Sequence, residues 1–131
     1  MDLEKIFKNL IIANAVTIVI LIIASFSMPK DLMEIAEYVP AGIYGSESGL
    51  VLTLLIVIAY IISLILLYRY VSYGKNVYVA VVVIGFILDL AGEAYIMTSI
   101  SFSIGVILNM ITGAILTLLF FSPIKDKFVQ K

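Results

Sequence analysis

The amino-acid sequence predicts an all-α integral membrane protein: one domain over residues 1–131, folded as a four-helix transmembrane bundle. Three observations carry this. The chain is 63% hydrophobic and 13% charged, with a mean hydropathy of +1.21, whereas a soluble domain is about half apolar. Four apolar runs approach the ~20 residues needed to cross about 30 Å of hydrocarbon. They are Leu10–Met28, Leu50–Tyr68, Val77–Met97 and Phe102–Phe121. The basic residues, finally, are segregated among the segments that separate these runs.

The first run follows Lys5 and Lys8. Its apolar core exceeds the 7–15 residues typical of a secretory signal, so a first membrane helix is expected. The connection Pro29–Gly49 holds PKDLMEIAEY, where Leu32, Met33, Ile35 and Ala36 mix with Asp31, Glu34 and Glu37. That pattern predicts a short amphipathic helix lying at the outer surface within residues 29–49. Pro29 suits its first turn, and the VPAG stretch, with Pro40 and Gly42, stops it. Ser46 or Ser48 is placed to cap the second run. The third and fourth runs form a hairpin about the uncharged turn Thr98–Ser101, and SPIKDKF ends the fourth with proline and then charge.

Orientation follows from the loops. Lys5, Lys8, Arg69, Lys75, Lys125, Lys127 and Lys131 fall on one side, and Lys30 alone on the other with Asp31, Glu34, Glu37 and Glu47. The positive-inside bias assigns the basic side, with both termini, to the cytoplasm, in what is expected to be the plasma membrane. Tyr68, Tyr70, Tyr73 and Tyr78 gather at the inner interface, and Tyr38, Tyr44 and Tyr95 at the outer one. Tyr60 alone is left deep.

Cysteine and histidine are absent, which excludes thiolate catalysis, disulfide exchange and thiolate or imidazole metal sites. Only oxygen ligands remain, and no metal or cofactor is expected. The near-neutral net charge of −1 and the lack of a basic run argue against nucleic acid as a partner.

Chemistry concentrates in FILDLAGEAY, which sets Asp89 and Glu93 four residues apart inside an apolar run with no basic neighbour. Tyr78, Gly85, Asp89, Gly92 and Glu93 share one face of the third helix. Gly105, Asn109 and Gly113 form a stripe on the fourth. Glycines let membrane helices approach closely, so these faces are expected to meet in a packing seam. Counted from a turn near Ile100, Asp89 and Asn109 lie on the order of 15 Å below the outer end. Tyr60 reaches similar depth and Glu93 sits roughly 6 Å shallower. An ionised carboxylate at that depth costs ~3 kcal/mol on insertion scales. Relief can come from protonation with a hydrogen bond to Asn109 or Tyr60, from a proton or cation shared by the two acids, or from another chain. A neutral packing role that fixes helix register is the structural alternative. Asn14 on the first helix reads as helix–helix glue.

Three functions follow, in order of preference. The first is a proton- or cation-linked transporter or channel component, working as a homo-oligomer, with Asp89 and Glu93 titrating beside Asn109 and Tyr60. The second is a non-catalytic subunit or assembly factor of a larger membrane complex. The third, an intramembrane enzyme using the two acids on a lipid-like substrate, lacks a nucleophile motif or cofactor fingerprint.

Overall fold

The computed structural model describes residues 2–27, 29–36, 38, 47–91 and 97–129. Every regular element within them is helical: α1 Leu3–Phe26, α2 Lys30–Ala36, α3 Glu47–Tyr68, α4 Gly74–Ala91, α5 Ser99–Phe121, and a closing 3-10 helix Pro123–Phe128. Among the described residues three stretches, Leu3–Phe26, Val51–Tyr68 and Ser99–Phe121, are long and apolar enough to cross a membrane. α4 runs 18 residues, about 27 Å, as far as Ala91. Large apolar side chains face outward on every long helix, among them Ile23, Leu54, Phe86, Leu90, Phe102 and Met110. Water tolerates no such continuous apolar surface on a monomer, and the chain is membrane-embedded.

Local chemistry sets the helix ends. α1 starts well ahead of Leu10 because Asp2 caps it, its Oδ1 accepting from the N–H groups of Glu4 at 3.1 Å and Lys5 at 3.3 Å. These are donors that a helix start leaves without internal partners. Thr98 caps α5 in the same way, accepting from Ser101 N–H at 3.0 Å. α2 is the short helix expected within residues 29–49, with the Pro29 carbonyl accepting from Leu32 and Met33. The expected stop at VPAG and the Ser46 cap lie outside the described residues, as does Glu37. Ser48 falls inside α3 and not ahead of it. Within the spans Thr17, Thr53, Ser103 and Thr117 donate to carbonyls four residues back, which satisfies hydroxyls where no water competes.

α1 packs along α5 and α3 along α4; α1 also meets α3, and among the described residues α4 and α5 touch only marginally. The N-terminal turn, the α3–α4 turn and the C-terminal 3-10 helix converge at one end. There Phe7 stacks on Tyr70 at 6.0 Å, and Phe7 and Tyr70 each meet the edge of Phe128, at 6.3 and 5.4 Å. The core lies toward this same end, in Phe7, Ile11, Leu67, Tyr78, Ile115 and Leu119. SPIKDKF was expected only to terminate the last helix. It folds back instead and buries Ile124 and Phe128 beneath the bundle.

α3 terminates in a Schellman motif: Val71 N–H bonds Leu66 O and Tyr70 N–H bonds Leu67 O, both at 3.0 Å. Tyr70 therefore takes a φ of 53°, a position glycine usually fills, at a cost of roughly 1–2 kcal/mol. The aromatic contacts hold it there, with the ammonium groups of Lys8 and Lys127 each 5.4 Å from its ring centre. Glu4 ties both lysines, Lys8 at 3.2 Å and Lys127 in direct contact. Burial, then the negative charge of Glu4 and Asp2, pushes the Tyr70 hydroxyl up to about 12. The folded state thus holds this proton more tightly than the unfolded chain. That contribution to stability is complete below about pH 10, the ordinary tyrosine value, and is lost as pH rises through about 12.

Gly74 opens α4 against the end of α3, where a Cβ would stand 3.0 Å from both the carbonyl carbon and the Cβ of Leu66. Backbone cannot yield as a flexible side chain can. Gly74→Ala is expected to lower stability by about 1–3 kcal/mol, read as a lower midpoint of thermal unfolding in detergent. The glycines expected in the α4–α5 seam behave differently. A Cβ at Gly85, Gly105 or Gly113 would meet nothing within 4 Å, and Gly92 lies outside the described residues. Among the described residues the seam is not formed, because α5 takes α1 as its partner and α4 takes α3. Gly105→Ala, the control, is expected to gain up to about 1 kcal/mol from helix propensity.

Candidate functional site

A chain of buried and half-buried polar side chains links the four long helices. Asn14 Nδ2 on α1 donates to Thr112 Oγ1 on α5 at 3.1 Å. Thr112 Oγ1 lies 2.9 Å from the Tyr60 hydroxyl on α3, which lies 3.3 Å from the Tyr78 hydroxyl on α4. The two tyrosine rings are 5.7 Å apart and tilted by 54°. Asn14 and Tyr78 are 0% exposed and Thr112 9%. Ser63, also buried, turns its hydroxyl back onto the Tyr60 carbonyl at 2.7 Å.

The grouping follows from the solvent. Each of these side chains lies on an apolar helix and turns into the bundle, where an unbonded hydroxyl or amide costs several kcal/mol. Bonding to one another is the available remedy, and it ties helix register together. Every hydroxyl can both donate and accept, so the bonds can run in either direction along the chain. Asn14 Oδ1, buried as well, has no hydrogen-bond partner among the described residues.

Of the residues singled out from sequence, Tyr60 belongs to this chain and points inward. Tyr78, expected at the inner interface, is buried in it. Asn109 is exposed on α5, and Asp89 is exposed toward the far end of α4. Glu93 lies outside the described residues. Asp89 and Tyr60 were expected at one depth, and the α3–α4 turn overturns this. Because Gly74 packs on Leu66, the antiparallel register sets Tyr60 against the turn of α4 that carries Tyr78. Asp89 lies eleven residues beyond Tyr78, about 16 Å along the helix. Depths counted from loop ends assume that every span starts in one plane, and here the tight turn sets the register instead.

Asp89 nevertheless shares the bundle-facing side of α4. Eleven residues bring it back to within about 20° of Tyr78 around the helix. Along that stripe exposure rises from buried Tyr78, through half-buried Val82 and Gly85, to exposed Asp89. The side of α4 facing the bundle therefore opens toward the end away from the termini. What the arrangement offers chemically is an exposed carboxylate toward one end of α4 and, about 16 Å along the helix, a hydrogen-bonded row of hydroxyls ending in an amide. Among the described residues no three carboxylates gather as a metal site would require.

Thr112, Ser63 and Tyr78 were not singled out as parts of a site, and Asn14 only as glue. The signal that could have found them is their common feature, a polar group within an apolar run needing a partner in lipid. Comparison with protein-family models, with curated proteins and with solved structures gives no match for this chain.

Proposed function

We propose that the protein is a proton- or cation-linked transporter or channel component. In this reading it spans the plasma membrane four times, the third span being Val77–Met97, and keeps both termini cytoplasmic. One observation carries the functional reading: a single stripe of α4 holds Asp89 at its exposed end and Tyr78, hydrogen-bonded across the bundle, at its buried end. Asp89 would take up a proton or cation from the outer side. The hydroxyls of Tyr78, Tyr60 and Thr112 would provide polar steps where lipid offers none. The orientation is supported by the convergence of both chain ends and the α3–α4 turn, with their lysines and Arg69, at one end.

Reconstitution in proteoliposomes under an imposed pH gradient tests this. Wild type is expected to dissipate the gradient, and Asp89→Asn to slow that flux at least about tenfold while leaving the protein folded. An Asp89→Asn protein that transports like wild type would overturn the role of the carboxylate.

A second observation favours an accessory subunit. No Asp, Glu, Lys or Arg is buried among the described residues, and Asp89 and Asn109 are accessible to a neighbouring chain beside the marginal α4–α5 contact. Further copies of the chain, or a larger membrane complex, would close that side. Native mass analysis from the source membrane separates the two: a homo-oligomer supports transport, and a hetero-complex supports the accessory role.

A further inference from the structure

A groove of about 480 Å³ runs along the outside of α4, lined by Asn76, Val79, Ala80, Val83 and Ile84, with Phe120 of α5 as its far wall. It faces away from the side that carries Asp89 and Tyr78, so the proposed transport route does not use it. Its chemistry changes along its length. At the end near the chain termini, Lys75 rests its ammonium 4.2 Å above the Phe120 ring centre, and Asn76 is exposed beside it. From Val79 onward the lining is apolar. The ion pairs at this end join Glu4 to Lys8 and Lys127, whereas Lys75 lies on an aromatic face with donors left for a ligand.

We infer that this groove is a binding site for one anionic phospholipid, its acyl chain along Val79–Ile84 and its phosphate at Lys75 and Asn76. The dimensions fit. From Lys75 to Ile84 is about 14 Å along the helix, close to half of the ~30 Å hydrocarbon thickness and so to one leaflet. The charge fits as well: Lys75 lies beside the groove, on the ring of its lining residue Phe120, and Lys5, Lys8, Arg69, Lys125 and Lys127 share this end of the bundle. A zwitterionic headgroup gains little from such a field, and an anionic one gains at each approach. The inference requires that the chain lie in a bilayer, and it does not depend on transport.

Native mass spectrometry of the protein released from vesicles of equal palmitoyl-oleoyl phosphatidylglycerol and phosphatidylcholine tests it. Wild type is expected to retain one phosphatidylglycerol in preference to phosphatidylcholine. Lys75→Gln should cut that preference about fivefold, the factor corresponding to about 1 kcal/mol per lysine near a charged surface. Lys75→Arg should keep it, and Ala80→Phe, which fills the groove from its exposed side, should abolish the retained lipid. Equal retention of the two lipids by wild type would overturn the site. So would a loss in Lys125→Gln as large as in Lys75→Gln, which would mean that the basic end attracts lipid as a whole. If Ala80→Phe splits an oligomer and leaves the bound lipid in place, the groove seats another helix and the inference fails. Flux in the Lys75→Gln protein is expected to stay at the wild-type level, so failure of the lipid site and failure of transport register separately.

Discussion

Tyr78→Ala is expected to cost about 3–5 kcal/mol, the range for removing a large ring from a closed core. The side chain is fully buried, lies against Tyr60, and belongs to the cluster that includes Ile115 and Leu119. Truncation leaves a cavity where three helices meet and strips the Tyr60 hydroxyl of a neighbour. Tyr78→Phe preserves the ring and deletes only the last bond of the chain, which at 3.3 Å is also its longest. Its cost should be about 1 kcal/mol. Unfolding of both variants in one detergent, followed by helix signal, gives the comparison. Equal losses in the two would place the stabilisation in the hydroxyl and not in packing.

Phe7→Ala is expected to be comparably severe, again about 3–5 kcal/mol, through a different part of the fold. Phe7 is 0% exposed and lies between Tyr70 and Phe128, so it joins the first turn of the chain to the α3–α4 turn and to the C-terminal 3-10 helix. Tyr70 keeps its left-handed backbone only while its surroundings enforce it. Losing Phe7 removes one wall of that enclosure. The local consequence should be faster amide exchange at Ile124–Phe128 and at Val71, while exchange in mid-α5 changes little. If the C-terminal segment keeps its protection in Phe7→Ala, the aromatic cluster is not what holds it.

The helices were legible because lipid demands long apolar runs, and hydropathy reads those directly. Even so, α1 begins ahead of its apolar run, since an Asp2 cap adds a polar first turn that hydropathy does not register. The inner face of α3 was not legible. That helix is apolar nearly all round, so no periodicity says which way Tyr60 points, and only the contact with Thr112 settles it. Asn14 and Thr112 are 98 positions apart, and pairing them requires knowing that α1 chooses α5. The glycine stripes misled for a related reason. Small residues permit close approach without compelling it, and the close approach occurs at Gly74, in a turn where no stripe exists. The last turn of the chain was read as a stop because proline and charge dominate it, although Ile124 and Phe128 supply the apolar pair that docks it.

Central to the proposed function, the bundle-facing stripe of α4 is expected to open to water at Asp89 and to close at Tyr78. The chain contains no cysteine, so single substitutions can be labelled with no background from the chain itself. A membrane-impermeant maleimide applied from the outer side would be tested on Asp89→Cys, Gly85→Cys, Val82→Cys and Tyr78→Cys, with Leu90→Cys as the lipid-facing control. Labelling is expected to be rapid at position 89, slower at 85, slight at 82, and absent at 78 and 90. Protection at 89 equal to that at 90 would contradict this, because Asp89 would then face lipid or a partner chain and no watered opening would lead to the buried hydroxyls.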